Sequence, residues 1–239
     1  TITTSVLGTE TFYNLTINNS TGVSLVDAIA VASLTGSGNA LTIESGAVFD
    51  ANNLAISLTG DWIDNGGTFT PGIGTVTFNG TGAQSITKGS AATFYDITFS
   101  SSGTTTLGCA LNISDDLTIE GTAKLDVSAS NYAIDIDGDW NVTSSTADPF
   151  VEQSGTVTFS GSGAQNQSSS LAAGETFYNL TVSTLTPGLT LNSAGGIDLN
   201  VTNLLSISSS AFLLGNDHNI NLSGSWSNSG TFTPGASGT

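Results

Sequence analysis

The sequence predicts an all-β chain and, within that class, a parallel β-helix (solenoid) of about three ~80-residue repeats. Three observations carry the prediction. Apolar and polar residues alternate over many short runs, among them Leu15/Ile17, Leu54/Ile56/Leu58, Val76/Phe78, Leu117/Ile119, Ile134/Ile136 and Leu189/Leu191. Period two is the pattern of a strand with one buried face. Gly, Asn, Ser and Asp punctuate the runs, as at Asn65-Gly66-Gly67 and Gly80-Thr81-Gly82, supplying turns that need positive φ. Helix-length amphipathic windows are nearly absent; the one apolar stretch of that length, 23–34, is Val-rich, lacks convincing caps and reads as strand.

The organisation is a repeat. TFYNLTI at 11–17 returns as TFYDITF at 93–99 and TFYNLTV at 176–182, so successive copies lie 82 and 83 residues apart. Other phrases follow in the same order. SLTGDW (57–62) matches DIDGDW (135–140) and NLSGSW (221–226), while GTFTPGIGTVTFNGTGAQ (67–84) is echoed at 154–165 and 230–239. Self-similarity at fixed order marks a quasi-one-dimensional array. The whole of 1–239 is expected to be one continuous solenoid with repeats at approximately 11–92, 93–175 and 176–239. The last is continued by residues equivalent to 1–10 of a next module, which suits axial continuation.

Tandem Ig-like β-sandwiches of about 80 residues each are the alternative fold. Sandwiches want linkers between copies and a large aromatic core. Here strand phrases run through the repeat boundaries, aromatics make up only 8% of the chain and small residues dominate, which favours the solenoid. Coils of roughly 20–27 residues stacked about 4.8 Å apart would give on the order of ten coils and a rod ~50 Å long.

Composition excludes several functions. The chain has two Lys, no Arg and 19 acids, for a net charge of −17 at pH 7. Binding to nucleic acid needs clustered cations to displace counterions, and docking on anionic lipid needs the same residues. No apolar run approaches the ~20 residues of a membrane span. One cysteine, Cys109, excludes an internal disulfide framework. With so few cations there is little to stabilise a developing carbanion, as a polysaccharide lyase must. The single His218 sits in a turn-like segment with no nucleophile motif beside it. The expectation is no enzyme and no required cofactor.

The phrases GTVTFNGTGAQSI, TFYNLTI and LTGDWIDNGGTF resemble repeats of very large bacterial and archaeal extracellular β-strand-repeat surface proteins. These are adhesin-like proteins, akin in form to the filamentous-haemagglutinin and autotransporter passenger solenoids. The similarity covers essentially the whole chain. It implies a right-handed parallel β-helix, secretion to the cell surface, and roles in attachment, sheaths or cell-surface fibres.

Candidate sites are few. Asp135, Asp137 and Asp139, at spacing two, are expected on one face of a strand opposite Ile134 and Ile136. Hard Ca²⁺ favours such oxygen ligands, although a solvated acidic strand is the simpler reading and the EF-hand's distal glutamate is missing. Asp115-Asp116 reads as a turn. Trp62, Trp140 and Trp226, one per repeat after the same phrase, read as a recurring packing element; exposed, they would stack on surface glycans. Of each pair Phe12/Tyr13, Phe94/Tyr95 and Phe177/Tyr178, one ring is expected in the core and one on the surface. Ten Asn-x-Ser/Thr sequons, including Asn14, Asn79, Asn141 and Asn179, permit glycosylation in a secreted protein.

The function expected from these readings is mechanical: a β-solenoid subunit or segment of a cell-surface fibre, sheath or adhesin stalk, partnered by itself through head-to-tail stacking of coils. The alternative is a monomeric carbohydrate-binding adhesin module.

Overall fold

The computed structural model describes residues 10–34, 38–192 and 198–236. Among them there is no helix, and short strands stack in parallel as a right-handed β-solenoid. A sandwich would need antiparallel ladders, so the tandem-sandwich alternative is set aside. The longest sheet, face one, holds eleven strands in strict axial order from Glu10–Tyr13 through Ile29–Ala32 to Thr231–Thr233. Face two begins at Leu15–Ile17 and face three at Val23–Ser24. The chain visits one, two, three and one again. Glu10 lies under Ile29, nineteen residues on, and Ile29 under Ile56, twenty-seven on, which brackets the coil length. At the parallel-strand spacing, eleven strands rise about 48 Å.

Alternation decides what each strand buries. Ile56, Val76, Ile97, Leu117 and Trp140 stack in register on the inner side of face one, all buried. Beside them run Leu58, Phe78, Phe99, Ile119 and Val142, with Phe78 and Phe99 stacked 5.7 Å apart. Each large side chain so buried contributes about 2 kcal/mol or more. The outer positions between them carry Ser57, Thr77, Thr98, Thr118 and Asn141, so the threonine ladder is three deep. The 23–34 segment is strand at Val23–Ser24 and Ile29–Ala32, as expected.

Polar side chains hold the register at the corners. Asp61 Oδ1 accepts the Ser85 N–H one coil on (2.7 Å), and its repeat equivalent Asp139 accepts the Asn166 N–H (2.7 Å). The glutamine closing the GAQ phrase is a buried clamp. Gln84 Nε2 donates to the Leu58 and Gly60 carbonyls (3.0 and 2.9 Å), while its Oε1 accepts the Gly80 N–H. Gln165 repeats the arrangement on Ile136, Gly138 and Gly161, and also accepts the Thr184 hydroxyl. The glycine of the GDW phrase is sterically required. A β-carbon at Gly60 would lie 2.3 Å from the Gly38 oxygen, and one at Gly138 2.4 Å from the Asp115 carbonyl. The coil below passes too close for any side chain.

Replacing Gln165 with Leu takes the acceptor from the Gly161 N–H and the Thr184 hydroxyl in a dry site. The expected cost is about 2 kcal/mol or more, read as a lowered urea midpoint by circular dichroism. An unchanged midpoint would show that the clamp is dispensable.

Candidate functional site: the joints between repeats and the open end

Each of the first two repeats ends where one sheet is interrupted. Face three breaks between Thr68–Thr70 and Ala92–Phe94, and face two between Phe150–Val151 and residues 175–177. No backbone ladder crosses either gap; aromatic rings do. Alternation turns Trp62 inward from Asp61–Asp64. Its indole meets Phe69 edge-on at 4.7 Å and Phe94 at 5.1 Å, with Phe69 and Phe94 themselves 6.0 Å apart. At the second joint Trp140 meets Phe150 at 4.9 Å and Phe177 at 5.3 Å, with the two phenyl rings 5.8 Å apart. Edge-to-face pairs of this kind add roughly 1 kcal/mol each beyond burial. In both triads the Trp is on one face, the first Phe on the next face of the same coil, and the second Phe one coil higher.

These positions bear out the packing reading for two of the three tryptophans, since Trp62 and Trp140 are fully buried. Trp226 differs. It touches Phe232 at 5.1 Å in the same edge-on manner but is 41% exposed, at the C-terminal end of the described solenoid. Phe94 and Phe177 are core while Tyr95 and Tyr178 are half-buried, as the alternation predicts. At the opposite end Phe12 is only partly buried and Tyr13 is 61% exposed. Tyr13 and Trp226 are the only strongly exposed aromatics among the described residues, and they lie at opposite ends, so no aromatic stripe runs along a face.

The polar surroundings of the two joints differ. At the first, a hollow of about 150 Å³ is lined by the aromatic triad together with Asp64, Lys88 and Ala92. Lys88 Nζ pairs with the buried Asp64 Oδ2 at 2.7 Å, and Asp64 Oδ1 accepts the Gly66 and Gly67 N–H groups. At the second joint the same rungs carry Ser169 and Val142, and Glu175 stands where Ala92 does. Glu175 is 1% exposed. Burial pushes its carboxyl up to about 8, the negative charge of Asp148 adding to the effect and the Ser169 hydroxyl opposing it. Among the described residues its Oε2 and the Trp140 Nε1 have no hydrogen-bond partner. The sequence signal for this buried acid is its place two residues before the inward Phe177.

The three acids Asp135, Asp137 and Asp139 do not line up along one strand face. The strand stops at Ile136, and Gly138 turns the chain. Asp135 and Asp137 are exposed, share the Ser160 hydroxyl and line a shallow depression with Asn112, Ile113 and Ser114. Asp139 is taken up by Asn166, through both its backbone and its side-chain amide. The closer acidic group is Asp96, Asp115 and Asp116, whose carboxylate oxygens lie within 4.8 Å of one another. Stacking brings Asp96 under Asp116, which sequence spacing does not reveal. Asp116 is raised first by burial and then by its acidic neighbours, and the Tyr95 hydroxyl is raised by its hydrogen bond to Asp115. Two of these carboxylates also hold register: Asp96 accepts the Asp116 N–H (3.1 Å) and Asp116 the Asp139 N–H (2.7 Å).

Of the four sequon asparagines named above, Asn14 and Asn79 are exposed and Asn141 and Asn179 half-buried. Asn14 Oδ1 accepts the Leu34 N–H, Asn79 donates to Ser57, Asn141 accepts the Ser168 hydroxyl, and Asn179 pairs with Thr156 and Asn203. Cys109 is buried with its thiol raised by that burial. His218 is buried as well, its Nδ1 without a partner among the described residues.

The architecture and its aromatic joints define a repetitive parallel β-solenoid. Compared with profiles of known protein families, with curated proteins and with solved structures, the chain matches none.

Glu175 makes stability depend on pH. Its folded-state pKa of about 8 lies above the ordinary value of 4.5, so the folded chain holds a proton that the unfolded chain releases. Its contribution is therefore fully present below about pH 4.5 and is lost as pH rises through about 8, by on the order of 5 kcal/mol in all. Glu175→Gln should remove that component, with the largest gain over wild type at about pH 9 and little gain at about pH 4. A parallel pair of stability curves would contradict it.

Proposed function

We propose that this chain is a structural, non-catalytic β-solenoid subunit or segment of an extracellular cell-surface fibre, sheath or adhesin stalk, extended by axial head-to-tail stacking of coils. The observation that carries this reading is the open edge at each end of face one. Glu10–Tyr13 and Thr231–Thr233 each pair on one side only among the described residues, and exposed aromatics accompany both ends. An unpaired parallel edge is a template for another strand. The acid-rich composition supports lateral separation, because rods of net charge −17 repel one another unless cations intervene. A divalent ion such as Ca²⁺, attracted to carboxylates like Asp135 and Asp137, would then bridge neighbouring rods. The glycan-binding alternative gains no comparable support, since the described faces carry no aromatic stripe for sugar rings.

Electron microscopy of the native material with intact mass on the same sample tests the reading. Uniform thin filaments are expected, built either of ~24 kDa chains or of longer chains containing this segment. Dispersed rods that never join would sink it. Adding calcium at low ionic strength should raise turbidity through bundling, and a chelator should reverse the rise; no response would remove the bundling role.

A further inference from the structure

The repeat and the coil are out of step, and the mismatch identifies what the open end accepts. Each coil offers three strand positions. From the strand carrying Phe12 to the strand carrying Phe94 is eleven positions, and from Phe94 to Phe177 eleven more. Eleven is one short of four full coils, so each Thr-Phe-Tyr phrase falls one face behind the last: face one at Phe12, face three at Phe94, face two at Phe177. The sheet interruption moves with it. Face three breaks at the first joint and face two at the second, and Thr231–Thr233 is the last described strand of face one. Eleven positions beyond residues 175–177, the next Thr-Phe-Tyr phrase belongs on face one, directly above that strand.

Trp226 and Phe232 are two-thirds of a joint. Trp226 follows the same Gly-x-Trp phrase as Trp62 and Trp140, and Phe232 sits in GTFTPG as Phe69 does. Their ring separation and 72° interplanar angle match the 4.7 Å and 72° of Trp62 and Phe69. In both complete joints the third ring comes from a Thr-Phe-Tyr phrase one coil higher. The strand of this chain with that phrase on face one is Glu10–Tyr13, where Phe12 is only partly buried.

We propose that the Trp226–Phe232 pair is a socket for Phe12 of a second copy of this chain, whose Glu10–Tyr13 strand sits over Thr231–Thr233 across a third aromatic joint. The contact rests on the axial-stacking reading and specifies its chemistry. It also fixes rotation, because the phrase regains its face only after three repeats and copies then join without a turn about the axis.

Trp226 is the one exposed tryptophan among the three, so fluorescence reports on the socket directly. Sedimentation velocity of the 239-residue chain over a concentration series, with acrylamide quenching of the same samples, is the test. Association is expected, accompanied by a blue shift and loss of quenching. Phe12→Ala and Trp226→Ala should each weaken association by about tenfold or more, with circular dichroism unchanged. A mixture of the two variants retains one intact Phe12 and one intact socket, and should form dimers that do not grow. Wild-type chain that stays monomeric with Trp226 quenchable overturns both the stacking reading and the socket. Association that leaves Trp226 quenchable, or that Phe12→Ala does not weaken, overturns the socket alone.

Discussion

Because each coil lies on the one before it at the hydrogen-bonding distance of parallel strands, every inward side chain is packed against its own counterpart one coil away. That single spacing governs the rest. It forbids a β-carbon at Gly60 and Gly138, where the chain below passes within contact distance. It lets one carboxylate, Asp61 or Asp139, reach the next coil's backbone N–H. It also gathers acids far apart in sequence, so that Asp96 meets Asp115 and Asp116. The same spacing sets Lys88 over Asp64, whose ion pair bridges adjacent coils.

The joints show how a repeat tolerates variation without losing its geometry. The aromatic triad is kept at both, while the polar groups around it change from an Asp64–Lys88 pair beside Ala92 to Val142 and Ser169 beside Glu175. Ring packing depends on shape and is indifferent to which polar solution surrounds it. A buried acid with a raised pKa is one solution and a compensated charge is the other. Each avoids leaving an ionised group alone in a dry site.

Much of this was legible beforehand. The all-β class, the strand at 23–34 and the burial of one ring of each Phe/Tyr pair follow from period-two alternation, while the solenoid follows from self-similarity that runs through the repeat boundaries. Which ring turns inward, Phe94 and Phe177, is seen in the structure. The acidic run at 135–139 is placed differently from its spacing, for a local reason. Spacing alone places three carboxylates on one face, but the strand ends at Ile136 and Asp139 is claimed by Asn166 from the next coil. The Gln84 and Gln165 clamps sit in a phrase plainly repeated in the sequence, yet nothing in spacing says that a glutamine turns inward to hold two carbonyls.

The sequence by itself determined the class of fold, the order of the phrases and which residues of each strand face the core, since these depend on local alternation and on self-similarity. Only the tertiary structure decided the number of strands per repeat and the face on which each phrase lands. Coil length varies between nineteen and twenty-seven residues with the loops at the corners, so counting residues cannot count strands. The eleven-strand repeat, the migrating sheet interruption and the pairing of Trp226 with Phe232 follow from how the coils close, and closure is a property of the stacked chain.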